Sequence, residues 1–140
     1  LSARIATMFA AGLNLKTLIH IDGDGFFNVT RTEAAISHHI RTLPPPLSIF
    51  ALLQRAGHFT DTEMYQVYNT GIGFCVIVAE TEGDRVMRIT AEHNVGAWQI
   101  GTTLESPVRT ITIKPRQLQS REDDFVFLKE PFPLWPTSPR

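Results

Sequence analysis

The 140 residues contain one cysteine, Cys75, so an internal disulfide is excluded and a reducing, cytoplasmic compartment is expected. Charge is sparse at 19%, and 13 Lys and Arg against 14 Asp and Glu leave a net charge of -1. Without a basic excess there is no electrostatic basis for binding nucleic acid or an anionic membrane surface. No apolar run approaches the ~18 residues that a membrane-spanning helix needs, and no signal-peptide pattern is present. Patterns of the Ser-His-Asp, Cys-His and Walker types are absent, as are repeats and low-complexity tracts. His38 and His39 fall next to each other on an expected strand and point to opposite faces. They cannot chelate one ion together, and no metal site is assigned.

What is present is 43% apolar sequence, enough for one globular domain over residues 1–130. A chain of this length buries roughly two-thirds of its unfolded surface. Residues 131–140 hold four prolines and read as an irregular tail. Apolar spacing of 3.6 predicts helices over 2–11, 48–56 and 84–93, with Ser2 and Ser48 as caps, and a short helix capped by Thr60 or Asp61. Strands are expected over 18–21, 34–42, 73–79, 97–102, 108–113 and 125–128. Cys75 and Trp98 read as core. The order α-β-β-α-α-β-α-β-β-β, with hairpins near Ile113 and Phe125, implies an α+β fold: a mixed β-sheet with helices packed on one face.

Two segments stand out as candidate sites. Tyr68-Asn69-Thr70-Gly71-Ile72-Gly73 runs from a helix directly into an apolar strand. Asn and Gly accept positive φ, so the chain reverses there with its backbone bare to a phosphate or another domain. A tight turn without a ligand reads the same way. The second segment is the strand end at His20, then Asp22-Gly23-Asp24-Gly25, then Asn28 and Arg31. Small residues at a strand end let backbone N–H groups line a pocket. His20 lies just before the loop, and Arg31 has the fork that grips a phosphate.

Taken with Pro45-Pro46 before Ile49-Phe50, Gly57, Glu63-Met64 and Ala97-Trp98-Gln99-Ile100-Gly101, these segments resemble the C-terminal domain of the phosphoribosylformylglycinamidine cyclo-ligase family, the aminoimidazole ribonucleotide (AIR) synthetases. The resemblance runs from about residue 5 to about residue 101. It implies an AIR-synthase C-terminal-domain-like fold that closes over an N-terminal half. That half carries most ligands for ATP and Mg²⁺ and is not contained in these residues. ATP activates the formyl amide oxygen of the substrate, and a neighbouring nitrogen closes the imidazole ring. Positioned phosphates and neutralised charge matter more here than a protein nucleophile.

The resemblance implies His20 as catalytic. It implies Asp22, Gly23, Asp24, Gly25, Asn28, Arg31, Asn69, Gly71 and Gly73 as substrate- or nucleotide-binding, with these two loops lining one cleft. Where the family loop reads His-Ile-Thr-Gly-Gly-Gly, this chain places Asp22 for Thr and Asp24 for the middle Gly, and its second loop has Tyr68-Asn69-Thr70-Gly71 for Phe-Asn-Met-Gly. The isolated domain is expected to bind no cofactor and to be catalytically silent. Its partner is expected to be the N-terminal ATP-binding half of the same enzyme or a second copy. Alternatively, it is a stand-alone non-catalytic module that binds a protein or a nucleotide. Phe26, Phe27 and Tyr68, beside the loops, are expected to form an exposed apolar face, covered by self-association or by residues 131–140.

Overall fold

The computed structural model describes residues 2–121 and 124–128; the Pro-rich segment 131–140 lies outside them. The order is α1 (Ser2–Ala10), β1 (Leu15–His20), β2 (Ile36–Ile40), α2 (Ser48–Gly57), α3 (Asp61–Val67), β3 (Phe74–Val78), α4 (Gly83–Glu92), β4 (Gly101–Glu105), β5 (Ile111–Ile113), β6 (Leu118–Arg121) and β7 (Asp124–Phe127). This is the expected α+β chain with one added strand, β6. Its Leu118 and Ser120 face inward while Gln119 is half-buried, an alternation too short and too polar to stand out in the sequence.

The strands divide into two sheets. A mixed five-stranded sheet has the order β4-β2-β5-β6-β7, with β2 antiparallel to β4 and parallel to β5. The chain returns through two hairpins, β5–β6 and β6–β7. β1 and β3 pair antiparallel in a sheet of their own, whereas the sequence predicted them in one sheet with β4 and β5. The 3₁₀ segment Gly25–Arg31 packs on β1, β2 and β5. It joins the two sheets through side chains rather than through a hydrogen-bond ladder.

One core spans both sheets: Ile19 and Ile21 beside β3, Phe26 and Val29 of the 3₁₀ segment, Ile40, Ile111, Ile113, Leu118 and Phe125 of the larger sheet, and Met64 and Tyr65 of α3. Each fully buried aliphatic side chain contributes about 1.5–3 kcal/mol. α1 and α4 form a satellite cluster through Met8, Leu13 and Ile89. α3 starts at a capping box in which Thr60 Oγ1 accepts from the Glu63 amide at 3.3 Å and Glu63 Oε2 accepts from the Thr60 amide at 2.7 Å. α2 starts without a side-chain cap: Leu47, not Ser48, holds the cap position.

Further expectations change. β4 starts at Gly101 rather than at residue 97, and Trp98 is 57% exposed instead of being core, its ring lying against Gly96. β5 is short because Ser106 Oγ bonds the Val108 amide and carbonyl, turning residues 106–108 away from the ladder. Phe26 is fully buried, and Phe27 is half-buried with its ring 4.5 Å from that of Phe125. Tyr68 is half-buried between Phe50 and Phe59, at ring distances of 6.3 and 6.0 Å. Leu47, Ile49 and Leu52, on and beside α2, are exposed, as are Phe9, Val67, Val108 and Phe127 elsewhere on the domain. α2 has no buried residue.

Candidate functional site

β1 ends at His20, which lies opposite Phe74 at the start of β3. One residue on, the Ile21 amide donates to the Gly73 carbonyl at 3.0 Å, and Asn69 Nδ2 donates to the Ile21 carbonyl at 3.4 Å. These bonds place the two candidate loops side by side at the open end of the β1–β3 ribbon, on the same side of the domain.

The first loop is held by its own backbone and by one buried side chain. The Gly25 amide donates to the Asp22 carbonyl at 3.1 Å, and the Phe27 amide to that of Asp24 at 2.9 Å. Asn28 is 1% exposed, and its Nδ2 donates to the carbonyls of Gly23 and Gly25 at 2.7 and 2.8 Å. Its Oδ1 is buried with no partner among the described residues. Asn28, predicted to touch the ligand, thus stands behind the loop and braces it. Asp24 takes a left-handed φ of 68° and accepts from Arg31 Nη2. His20 Nδ1 lies 3.5 Å from Asp22 Oδ2. His20, Asp22, Gly23, Asp24 and Arg31 are all exposed.

In the second loop Asn69 makes an Asx turn: its Oδ1 accepts from the Gly71 amide at 3.0 Å, and its carbonyl accepts from the Ile72 amide at 2.9 Å. The positive φ falls on Thr70 (50°) and Gly71 (107°). The glycines separate into two kinds. A Cβ on Gly25 would strike the Tyr65 carbonyl, and one on Gly71 would come 3.4 Å from Leu47 Cγ. Gly23 and Gly73 have no heavy atom within 4 Å of a Cβ and ordinary φ. Open space adjoins the α-carbons of those two glycines, while their carbonyls are taken, Gly23 by Asn28 Nδ2 and Gly73 by the Ile21 amide.

Leu47 and Thr70 belong to this neighbourhood and carried no signal in the sequence. Leu47 reads as a linker residue after a proline run, and Thr70 as an ordinary turn residue. The nearby Cys75 thiol is pushed up to about 11 by burial, so it carries no thiolate at neutral pH. None of the candidate residues lines the shallow depression of about 510 Å³ bounded by Ala34, Ala35, Ile36, Glu105, Ser106 and Pro107. Among the described residues no helix is long and apolar enough to cross a membrane.

Residues 14–114 match the family described as AIR synthase related protein, C-terminal domain. The phosphoribosylformylglycinamidine cyclo-ligase of Methanocaldococcus jannaschii is 39% identical over 94 residues, covering 67% of this chain and 27% of that protein. The cyclo-ligase of Methanococcus maripaludis strain C7 is also 39% identical over 94 residues, with the same coverage. That of Staphylococcus aureus strain MSSA476 is 38% identical over 104 residues, covering 72% of this chain and 30% of the relative. The chain thus spans less than a third of the curated relatives it matches, and the match includes both loops. It belongs to the AIR synthase related C-terminal domain family.

Proposed function

We propose that this chain is the C-terminal part of an ATP-dependent cyclo-ligase that converts formylglycinamidine ribonucleotide to aminoimidazole ribonucleotide in the cytoplasm, and that it is inactive without an N-terminal ATP-binding half. The supporting observation is the junction of the two glycine loops through the Ile21–Gly73 hydrogen bond. It brings the loops of Gly23 and Gly73 together at one end of the domain, and in this reading their amides and the Arg31 guanidinium supply the donors for a ribose phosphate. In this reading Asn28 and Asn69 hold the loops in shape. The backbone amides and Arg31 orient the phosphate, and His20 moves a proton near the reacting amide.

ATP and Mg²⁺ are assigned to the N-terminal half. Among the described residues of this chain no three His, Cys, Asp or Glu side chains gather as a metal site. The partner is that half or a second copy, seated on the apolar surface of Leu47, Ile49 and Leu52 beside Gly71.

The test is a chimera joining this chain to the N-terminal part of the M. jannaschii relative, assayed for aminoimidazole ribonucleotide. Turnover should appear only in the chimera and be lost in His20→Ala. A folded chimera that stays silent, while the relative's own C-terminal part restores turnover, refutes the reading. A second reading, a non-catalytic module that binds a protein or a nucleotide, is favoured by one observation: Asp24 occupies the Arg31 guanidinium, and Asp22 lies beside the His20 ring.

A further inference from the structure

The guanidinium of Arg31 donates from Nη2 to Asp24 Oδ2, across side chains that are 62% and 66% exposed. The two residues flank and close one short segment. Asp24 sits in the left-handed region at the head of the 3₁₀ segment Gly25–Arg31, and its carbonyl accepts from the Phe27 amide. Arg31 closes the same segment, so the carboxylate and the guanidinium are delivered to each other by one short piece of chain. A guanidinium uses the same donors for a carboxylate as for a phosphate. The Asp24 carboxylate therefore stands where a phosphate oxygen would stand, and it is tethered there at high effective concentration. Asp22 differs: its carboxylate lies beside His20 Nδ1.

We propose that Asp24 sets the anion affinity of this site as an internal competitor, which a phosphate group must displace to reach Arg31. The proposal rests on the reading above that the two loops take a phosphate-bearing ligand. An exposed pair resists displacement weakly, by no more than about fivefold in affinity. The device therefore tunes binding and does not abolish it.

The test is a titration of the chain with inorganic phosphate at fixed ionic strength, followed by the NMR amide shifts of Gly23, Gly25 and Gly73. Asn accepts the left-handed conformation, so Asp24→Asn keeps the loop. Asp24→Asn should tighten phosphate by about two- to fivefold. Asp22→Asn, which removes the same charge without freeing Arg31, should tighten it clearly less. Adding Arg31→Ala to Asp24→Asn should cancel the gain. Equal gains from Asp24→Asn and Asp22→Asn would mean a general charge effect and overturn the proposal. Equal phosphate binding by the wild type and Asp24→Asn would overturn it while leaving the phosphate site standing. Absence of loop shifts in every variant would bring down the phosphate site and the competitor with it.

Discussion

Gly25 and Tyr65 meet backbone to backbone: a Cβ on Gly25 would collide with the Tyr65 carbonyl oxygen, and Gly25 has a positive φ of 48°. Gly25→Ala therefore combines an unfavourable backbone conformation with overpacking against α3. A loss of about 2–4 kcal/mol is expected. Gly23→Ala and Gly73→Ala meet open space at ordinary φ, and each should change stability by less than about 1 kcal/mol. Urea denaturation of the three variants checks this. A Gly25→Ala protein as stable as Gly23→Ala would contradict the close approach. Stable Gly23→Ala and Gly73→Ala proteins that lose phosphate shifts would assign those backbones to the ligand.

His38 makes stability depend on pH. It is 5% exposed in β2, an inner strand of the larger sheet, and its Nε2 has no partner among the described residues. Burial, and then the neighbouring His39, lower its pKa from 6.5 to about 4. The unfolded chain thus binds more protons than the folded one between those values, so stability is full above about pH 6.5 and falls toward pH 4. The loss from His38 alone is about 2–3 kcal/mol. His39, lowered by burial and by Arg41, adds in the same direction. Denaturation midpoints of the wild type and His38→Leu from about two pH units below to about one unit above the ordinary His value should show a shallower slope in the variant. Parallel slopes would mean that His38 is not the buried base.

The same strand shows what the sequence made legible. The expectation of a strand across 36–40 correctly put His38 and His39 on opposite faces, although burial does not alternate there: Ser37 and His38 are both buried and His39 is half-buried, so both faces of β2 are covered. The Asn69–Gly73 reversal was legible for a similar reason: its shape comes from residue types that accept positive φ. Partnership between strands was not legible. The pairing of β1 with β3 depends on the 3₁₀ segment filling the space beside β1, and Phe26-Phe27 followed by Val29 gives no helical or strand period to announce it. The burial of Phe26 followed from that miss. An aromatic pair beside a glycine loop looks like an exposed face until the turn that folds it inward is known. Trp98 failed in the opposite direction, since an aromatic residue among apolar neighbours reads as core although the segment stays outside the ladder.

The apolar surface of α2 is the place to look for association. Leu47, Ile49 and Leu52 are 61%, 51% and 53% exposed. Leu52→Glu should leave stability within about 0.5 kcal/mol, because it removes little buried surface. It should also lower self-association or docking of an N-terminal half. Phe26→Ala, at a fully buried site, should cost about 3–5 kcal/mol. Light scattering and thermal melts separate the two effects. A chain that is monomeric at high concentration and docks an N-terminal half equally well with and without Leu52→Glu would remove α2 as the interface.

Asn28 carries the most consequence for its size. Its two donors reach the carbonyls on either side of Asp24, so one buried amide fixes the loop's curvature. Asn28→Ala leaves both carbonyls without their donor and opens a small void, and should cost about 2–3 kcal/mol. Asn28→Asp keeps the shape but turns an acceptor toward two acceptors in a site that is 1% exposed. A buried carboxylate without a partner is the harsher change, so Asn28→Asp should be at least as destabilising as Asn28→Ala at neutral pH. It should recover partly as the pH falls and the carboxyl takes up a proton, which makes it a donor again. That opposes the direction set by His38, so the two contributions can be told apart in one pH series. Hydrogen exchange at Gly25 and Phe27 should accelerate in both variants. Unchanged protection at those amides, or an Asn28→Asp protein as stable as the wild type at neutral pH, would mean that the loop holds its shape without this brace.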